Sequence, residues 1–355
     1  MPAYLNAVAT AVPVHEQHGS FVESLPYWIE GAELAGKVRQ IAVQAQIERR
    51  YSVLERALGE AGSGAFYEYG GFPTTQARME VYRREAPVLA GAAVSGLGLG
   101  REELAGVTHL IVTTCTGFYA PGIDIDLVKM FGLSARVKRT VIGFMGCHAA
   151  MTAMRQARET VLADAGARVL VVSVELCTLH LQRTTAVDRL VSYCLFADGA
   201  AASLVTAEAR GMRLDEAWSA LSLADADRMA WVVEDQGFAM TLDPRVPMKI
   251  RQAVGRHPEM TGGCAAAGPD DVWAVHPGGK VILDAIGEAY GLREEQLAVS
   301  RGVLRDFGNM SSATVMFVLE RMMAARRGGS EVRGHALAFG PGLTVEGVDF
   351  TMLGP

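Results

Sequence analysis

Three residues far apart in the chain, Cys147, His276 and Asn309, have the types and settings that acyl-thioester chemistry needs. Cys147 stands between Gly146 and a run of small residues, at a strand-to-helix junction. A thiol there meets the positive end of a helix dipole and unpaired N–H groups, which lower its pKa and can hold the oxygen of a thioester under attack. His276 closes an apolar run and precedes Pro277, Gly278 and Gly279. A strand would deliver its imidazole at the carboxyl edge of a sheet, where α/β proteins place their sites. Asn309 sits in FGNMSSA, again just ahead of a helix. Taken singly, each has a plainer reading: a buried structural cysteine, a strand-end histidine and a helix N-cap. Together they supply a nucleophile, a proton acceptor and neutral hydrogen-bond donors for an enolate or a tetrahedral oxyanion. Cysteine hydrolases use the same residue types, so type alone leaves acyl hydrolysis and condensation both open.

The elements that must position these residues follow from apolar patterning. Short apolar runs predict strands near 108–114, 139–143, 168–175, 199–206, 271–276 and 334–339. Apolar residues at helical spacing predict helices over 148–166, 279–291 and 311–329. The alternation predicts an α/β protein with buried sheets. It runs twice, once into GFMGCHAAM and once into AVHPGGKVILD, with a third strand–turn–helix at LRDFGNMSSATV. The expected division is 1–210, carrying the cysteine, and 211–355, carrying the histidine and asparagine.

Composition narrows the class. The 355 residues are 50% hydrophobic, ample for a large core. Charged residues are only 20%, which points to extensive internal or subunit-contact surface. A net charge of −6 offers no basic footprint for nucleic acid. The N-terminus lacks a cationic start with a long apolar core, and the longest apolar runs are too short to span a bilayer. Five cysteines without paired or metal-ligand spacing predict free thiols in a reducing cytoplasm and no metal site.

Around these residues the chain resembles the type III polyketide synthases, the chalcone and stilbene synthase superfamily of the thiolase fold. The resemblance rests on GCHAAMTAMRQA at Cys147, TTCTGFYAPGIDIDLVKMFGL (113–133), LFADGAA (195–201), VHPGGKVILD (275–284), FGNMSSATVMFVLE (307–320) and FGPGLTVE (339–346). It implies a five-layered αβαβα core of two similar halves, and a homodimer. It implies that Cys147 takes a starter acyl group from a CoA thioester. His276 and Asn309 would stabilise the enolate left when malonyl-CoA loses carbon dioxide, and His276 would keep Cys147 as thiolate. No metal, nicotinamide or permanently bound cofactor is then needed. Phe196 matches a cavity phenylalanine of the family. Ser311, Cys115, His180, Trp231 and Met240 fall at other cavity positions, the last four as departures from the plant pattern. A bulky indole and a Met/Leu-rich surround favour a flexible fatty acyl starter, hence an alkylresorcinol or alkylpyrone product.

For the CoA phosphates Lys37 matches one family cation, while Gln40 and Gln44 replace two others beside Arg39; Gly278 and Gly279 leave room for the donor. The lost charges raise delivery by an acyl carrier protein as a second route. His148 is expected to point along its helix, Glu175 to be a buried structural acid, and Cys177 and Cys194 to be core. The competing functions are a single condensation of the ketoacyl synthase III kind, an acyl-thioester hydrolase and a silent scaffold; the last predicts loss of a triad residue, and all three are present.

Overall fold

All six expected strands form, and three more that the apolar pattern conceals complete their sheet, with a hairpin outside it. The computed structural model of the protein describes residues 1–69, 71–256, 264, 267–326 and 328–354. The strands longer than two residues are β1 (Ala3–Ala11), β2 (His109–Thr114), β3 (Lys138–Gly143), β4 (Val169–Leu176), β5 (Asp198–Thr206), β6 (Met212–Leu221), the hairpin β7 (Met229–Glu234) and β8 (Gly237–Leu242), then β9 (Val272–Val275), β10 (Val332–Gly340) and β11 (Thr344–Met352). All but the hairpin join one nine-stranded sheet in the order β9-β10-β11-β6-β1-β5-β4-β2-β3. The concealed strands are β1, β6 and β11. β6 and β11 carry acids that break an apolar run, and partners absorb those charges. Asp215 accepts from Thr351 Oγ1 at 2.6 Å, Glu346 faces Arg155 at 3.3 Å, and Asp349 faces His335 at 2.6 Å.

The sheet repeats about the β1–β6 junction. β1, β5 and β4 pair antiparallel, and β2 joins β4 in parallel. β6, β11 and β10 likewise pair antiparallel, and β9 joins β10 in parallel. β1 is irregular between Leu5 and Ala7, and β6 at the same place between Leu214 and Glu216. The residue inside each irregularity receives a threonine hydroxyl from the neighbouring strand: Thr206 to Asn6 at 2.7 Å and Thr351 to Asp215 at 2.6 Å.

The labelled helices are α1 (His18–Trp28), α2 (Ala32–Gln44), α3 (Thr75–Gly96), α4 (Ile123–Phe131), α5 (Ala149–Ala163), α6 (Val187–Leu195), α7 (Lys280–Tyr290), α8 (Glu294–Phe307) and α9 (Thr314–Ala325). α5 and α9 share one core with both half-sheets; the buried face of α5 is Ala, Met and Val, and that of α9 Thr, Val, Met, Phe and Leu. α3 and α4 cover the outer face of the N-terminal half, and α7 and α8 that of the C-terminal half. Helix, half-sheet, central helices, half-sheet, helix make the five αβαβα layers of the thiolase fold. Small residues on α5 let the helix sit close to two sheets at once, which brings its N-terminal turn to the carboxyl ends of β9 and β10.

Candidate active site

Cys147, the expected nucleophile, lies where the N-terminal half turns from sheet into central helix. After β3, Gly146–His148 forms one 3₁₀ turn before α5. The turn requires glycine at 146: its φ is +78°, and an added Cβ would lie 2.1 Å from Cδ of Pro341. Cys147 is buried. Side-chain hydrogen bonds from Ser311 and Asn309, and its own backbone N–H, bear on the sulfur and favour thiolate. Burial outweighs them and pushes the thiol up to about 12. The lowered pKa expected from the helix end is therefore reversed. A helix terminus offers roughly 0.3–1 kcal/mol to a nearby charge, whereas removing a charge from water costs several.

Asn309 arrives by the matching turn of the other half. Its main chain is stitched to the Phe196 segment: Asn309 N donates to Leu195 O and Ala197 N donates to Asn309 O, both at 2.9 Å. Its Oδ1 accepts from Ser311 N at 2.9 Å and Thr314 Oγ1 at 3.4 Å, an Asx turn rather than the N-cap anticipated for an asparagine here, since Met310 caps the 3₁₀ turn and Ala313 the helix. That contact also fixes the amide so that Nδ2 is the donor end, and Nδ2 donates to Gly278 O at 3.1 Å. His276 extends β9, donating its backbone N–H to Leu337 O at 2.8 Å. Neither ring nitrogen has a partner among the described residues. Burial, then the nearby His148, lowers its pKa to about 3, so the imidazole is neutral. Gly278 connects the pair, because a Cβ there would stand 3.6 Å from His276 Nε2.

Cys147 and Ser311 face a partly open cavity of about 80 Å³, and Cys115, His180, Phe196, Trp231 and Met240 line it too. His276 and Asn309 are not wall residues; Asn309 reaches the cavity through Cys147 and Ser311. Trp231 and Met240 are opposite each other on the β7–β8 hairpin. Trp231 Nε1 donates to Cys115 O at 2.7 Å, and its ring meets His180 edge-on at 5.5 Å. His180 is pinned from both sides: its Nε2 lies 2.7 Å from Thr116 O and Phe238 N donates to its Nδ1 at 3.1 Å. Burial holds it neutral, with a pKa lowered to about 3.

Beneath this wall Glu175 is fully buried and accepts from Cys115 N and Thr116 Oγ1, both at 2.9 Å, and from Ser312 Oγ at 2.6 Å. Burial raises it to about 7. It braces β2, β4 and the Asn309 turn against one another. His148 does run along its helix, with Nδ1 3.3 Å from Thr152 Oγ1, and its ring packs where a Gly340 side chain would be. Cys194 is core, whereas Cys177, expected there too, is buried but lines the cavity.

One wall residue leaves no signal in the sequence. Arg50, buried in the fold, donates through Nη1 to Tyr193 O and Phe196 O, both at 2.7 Å, and through Nε to His18 Nδ1 at 2.9 Å. His18 in turn lines a neighbouring groove of about 750 Å³, with Arg39, Lys280, Arg301 and Arg305 at its sides and Glu23 and Glu48 among them. Lys37 lines neither space; it is exposed on α2 and pairs with Glu33 at 2.7 Å. Gly279, at the head of α7, leaves its open side to Leu195.

The sequence matches the chalcone and stilbene synthase N-terminal domain over residues 2–209 and the C-terminal domain over 222–353. It is 34% identical over 335 residues to bisdemethoxycurcumin synthase of Oryza sativa subsp. japonica, covering 88% of this chain and 82% of that one. It is 33% identical over 304 residues to the alpha-pyrone synthesis polyketide synthase-like Pks18 of Mycobacterium tuberculosis, covering 78% and 77%. The fold matches the type III polyketide synthase domain of Steely1 from Dictyostelium, with TM-score 0.90, 25% identity and coverage of 99% and 100%. It also matches 1,3,6,8-tetrahydroxynaphthalene synthase of Streptomyces coelicolor A3(2), with TM-score 0.87, 25% identity and coverage of 99% of each chain. With both halves matched nearly end to end, and two relatives above 30% identity over more than two thirds of their length, the chain belongs to the chalcone and stilbene synthase family of type III polyketide synthases.

Proposed function

We propose that this enzyme loads an acyl starter onto Cys147, extends it with malonyl units by decarboxylative Claisen condensation and releases a cyclised product. The carrying observation is the convergence of Ser311 and Asn309 on the Cys147 sulfur at the cavity wall, with the His276 ring, which has no partner among the described residues, beside Gly278. In loading, the thiol proton passes to His276 as sulfur attacks the starter thioester, and His276 returns it to the departing CoA sulfur, leaving the imidazole neutral. In extension, malonyl-CoA loses carbon dioxide, and the electron pair of the broken C–C bond becomes an enolate. Nδ2 of Asn309 and an N–H of the neutral His276 donate to its oxygen. The enolate carbon then attacks the Cys147 thioester, and the sulfur leaves. The coenzyme and its thioesters are substrates, and this chemistry calls for no resident cofactor.

The starter we favour is a fatty acyl group, giving an alkylresorcinol or alkylpyrone. Trp231 and Met240 close the wall opposite each other, and the mycobacterial relative is named for alpha-pyrone synthesis. An aryl starter is the second reading. It is favoured by the rings of Tyr51, Tyr67, Tyr193 and Phe196 in the same wall and by the rice relative named for bisdemethoxycurcumin. Incubation with malonyl-CoA and a panel of fatty and aryl acyl-CoAs, with products identified by mass, decides between them. Turnover of aryl starters alone overturns the fatty reading. A product of one condensation points to ketoacyl synthase III-like action, and free acid without carbon dioxide points to a hydrolase.

Four further assignments belong to this reading. The phosphates of the acyl and malonyl donors dock in the groove beside Arg39, Lys280 and Arg305 rather than on Lys37, whether the arm comes from CoA or a carrier protein. Two copies associate through the open edge of β3, where Val141, Phe118, Phe144 and Met145 are exposed together. Five unpaired thiols fit a reducing cytoplasm, and among the described residues no helix is long and apolar enough to cross a membrane. The two halves divide between β5 and β6, at 210 and 211.

A further inference from the structure

A buried cation outside the triad joins the groove to the turn that carries Asn309. Arg50 lines the cavity, and His18 beside it lines the groove. Among the described residues the Arg50 side chain donates to Tyr193 O and Phe196 O, each 2.7 Å from Nη1, and to His18 Nδ1, 2.9 Å from Nε. None of these acceptors is a carboxylate. Burial lowers the guanidinium to about 10, which leaves it charged near neutral pH. A buried charge held by neutral acceptors costs stability rather than adding it. That sets Arg50 apart from a packing residue.

Its contacts converge on one piece of backbone. Tyr193 and Phe196 stand at the C-terminal end of α6, where carbonyls lack helical donors and a cation is favoured. Phe196 pairs with Asn309 in an isolated parallel bridge. Ala197 N donates to Asn309 O across that bridge at 2.9 Å. Phe196 O and Ala197 N belong to one planar peptide group. Arg50 therefore grips one edge of this peptide and Asn309 O holds the other. The arginine stem adds a second hold: a Cβ at Gly308 would lie 2.8 Å from Arg50 Cγ. One side chain thus bounds both the residue before Asn309 and the peptide bonded to Asn309.

We propose that Arg50 is a positioning residue for the condensation, fixing where Asn309 Nδ2 stands against the enolate oxygen, and that His18 orients its guanidinium from the groove side. This rests on the proposed role of Asn309 as enolate donor. Arginine has donors only, so His18 Nδ1 accepts and its ring is neutral with the proton on Nε2. Burial and the nearby Arg50 lower His18 to about 4, which keeps that acceptor available at neutral pH. A donor aimed at a transition-state oxygen must be held to within about 0.5 Å, so small tilts of the 196–197 peptide reach the chemistry.

Two rates on the full chain test this: carbon dioxide release from malonyl-CoA, and CoA release as an acyl-CoA acylates Cys147. Arg50→Met keeps a stem against Gly308 and removes every donor. It should lower kcat for decarboxylation about 10–100-fold, the scale of a displacement of about an ångström, with acylation within about threefold of wild type. A merely structural role would lower both rates together. Because Arg50 acts through Asn309, the double variant Arg50→Met/Asn309→Ala should decarboxylate no more slowly than Asn309→Ala alone. His18→Ala should lower the decarboxylation kcat about fivefold, the scale of one lost hydrogen bond. His18→Asn, whose Oδ1 replaces the Nδ1 acceptor, should recover most of that loss. Equal loss of both rates in Arg50→Met, or multiplied losses in the double variant, overturns the proposal. Should Arg50→Met fail to fold, a His18→Ala rate equal to wild type, or one that His18→Asn does not improve, overturns it instead. Asn309→Ala decarboxylating at the wild-type rate would remove the enolate-donor reading itself, and this inference with it.

Discussion

At the end of the first parallel strand of the N-terminal half stands Cys115, and at the same place in the C-terminal half stands His276. Further along, Gly146–Cys147 corresponds to Gly308–Asn309. Each glycine has a positive φ, +78° and +69°, and soon after each a 3₁₀ turn leads into a buried central helix. The backbones match while the chemistry differs. The N-terminal half gives the sulfur and most of the cavity wall, including Cys115, Cys177, His180 and Phe196. The C-terminal half gives the imidazole and the carboxamide, both set behind that wall. Under the proposed mechanism one scaffold, used twice, separates holding the chain from stabilising charge, and each task is expected to be open to damage without the other.

Removing the sulfur strikes the first half alone. Cys147→Ala should lower product formation by more than about a thousandfold, measured by labelled malonyl incorporation, because no acyl group can be held. Product formation near the wild-type level would break the division. Next comes the wall. Trp231→Ala should shift the preference towards longer acyl starters by about tenfold in relative kcat/KM, the scale on which a few methylenes are discriminated in an apolar pocket. An unchanged profile would show that the indole does not set the depth. The donor groove carries a smaller effect: Arg305→Ala should raise KM for malonyl-CoA about threefold, as loss of one screened surface contact does, while Lys37→Ala leaves it alone. The reverse ranking would return the phosphates to the Lys37 face of α2.

The brace between the halves offers the finest test. Burial raises Glu175 from 4.5 to about 7, so the folded protein holds a proton that the unfolded chain releases. That contribution to stability is fully present below about pH 4.5 and is lost as pH rises through about 7. Glu175→Gln stays uncharged, so its Tm should gain on the wild type as pH climbs across that window. Tm–pH curves that stay parallel would mean that Glu175 is ionised in the fold at all these values.

Much of this was legible in the sequence because glycines mark it. Cys147 and Asn309 each follow a glycine and His276 stands two residues before one, and six strands show as bare apolar runs; the segment LRDF, expected as a strand ahead of Asn309, is instead the last turn of α8. β6 and β11 do not, since Asp215, Glu346 and Asp349 look like surface residues until Thr351, Arg155 and His335 are seen against them. The continuity of the nine-stranded sheet through β1 and β6 is a long-range pairing that no local pattern encodes. Arg50 is one arginine in a charged stretch, and only the fold buries it against two carbonyls. The direction of the Cys147 shift also escapes a sequence reading, because a helix end is visible there and the depth of burial is not.

Carbon dioxide release from malonyl-CoA alone tests the central division most directly. Cys147→Ala should retain decarboxylation, because the enolate is stabilised from the other half, whereas Asn309→Ala and His276→Ala should each lose about a hundred- to a thousandfold. Loss in Cys147→Ala with retention in the other two would contradict the account.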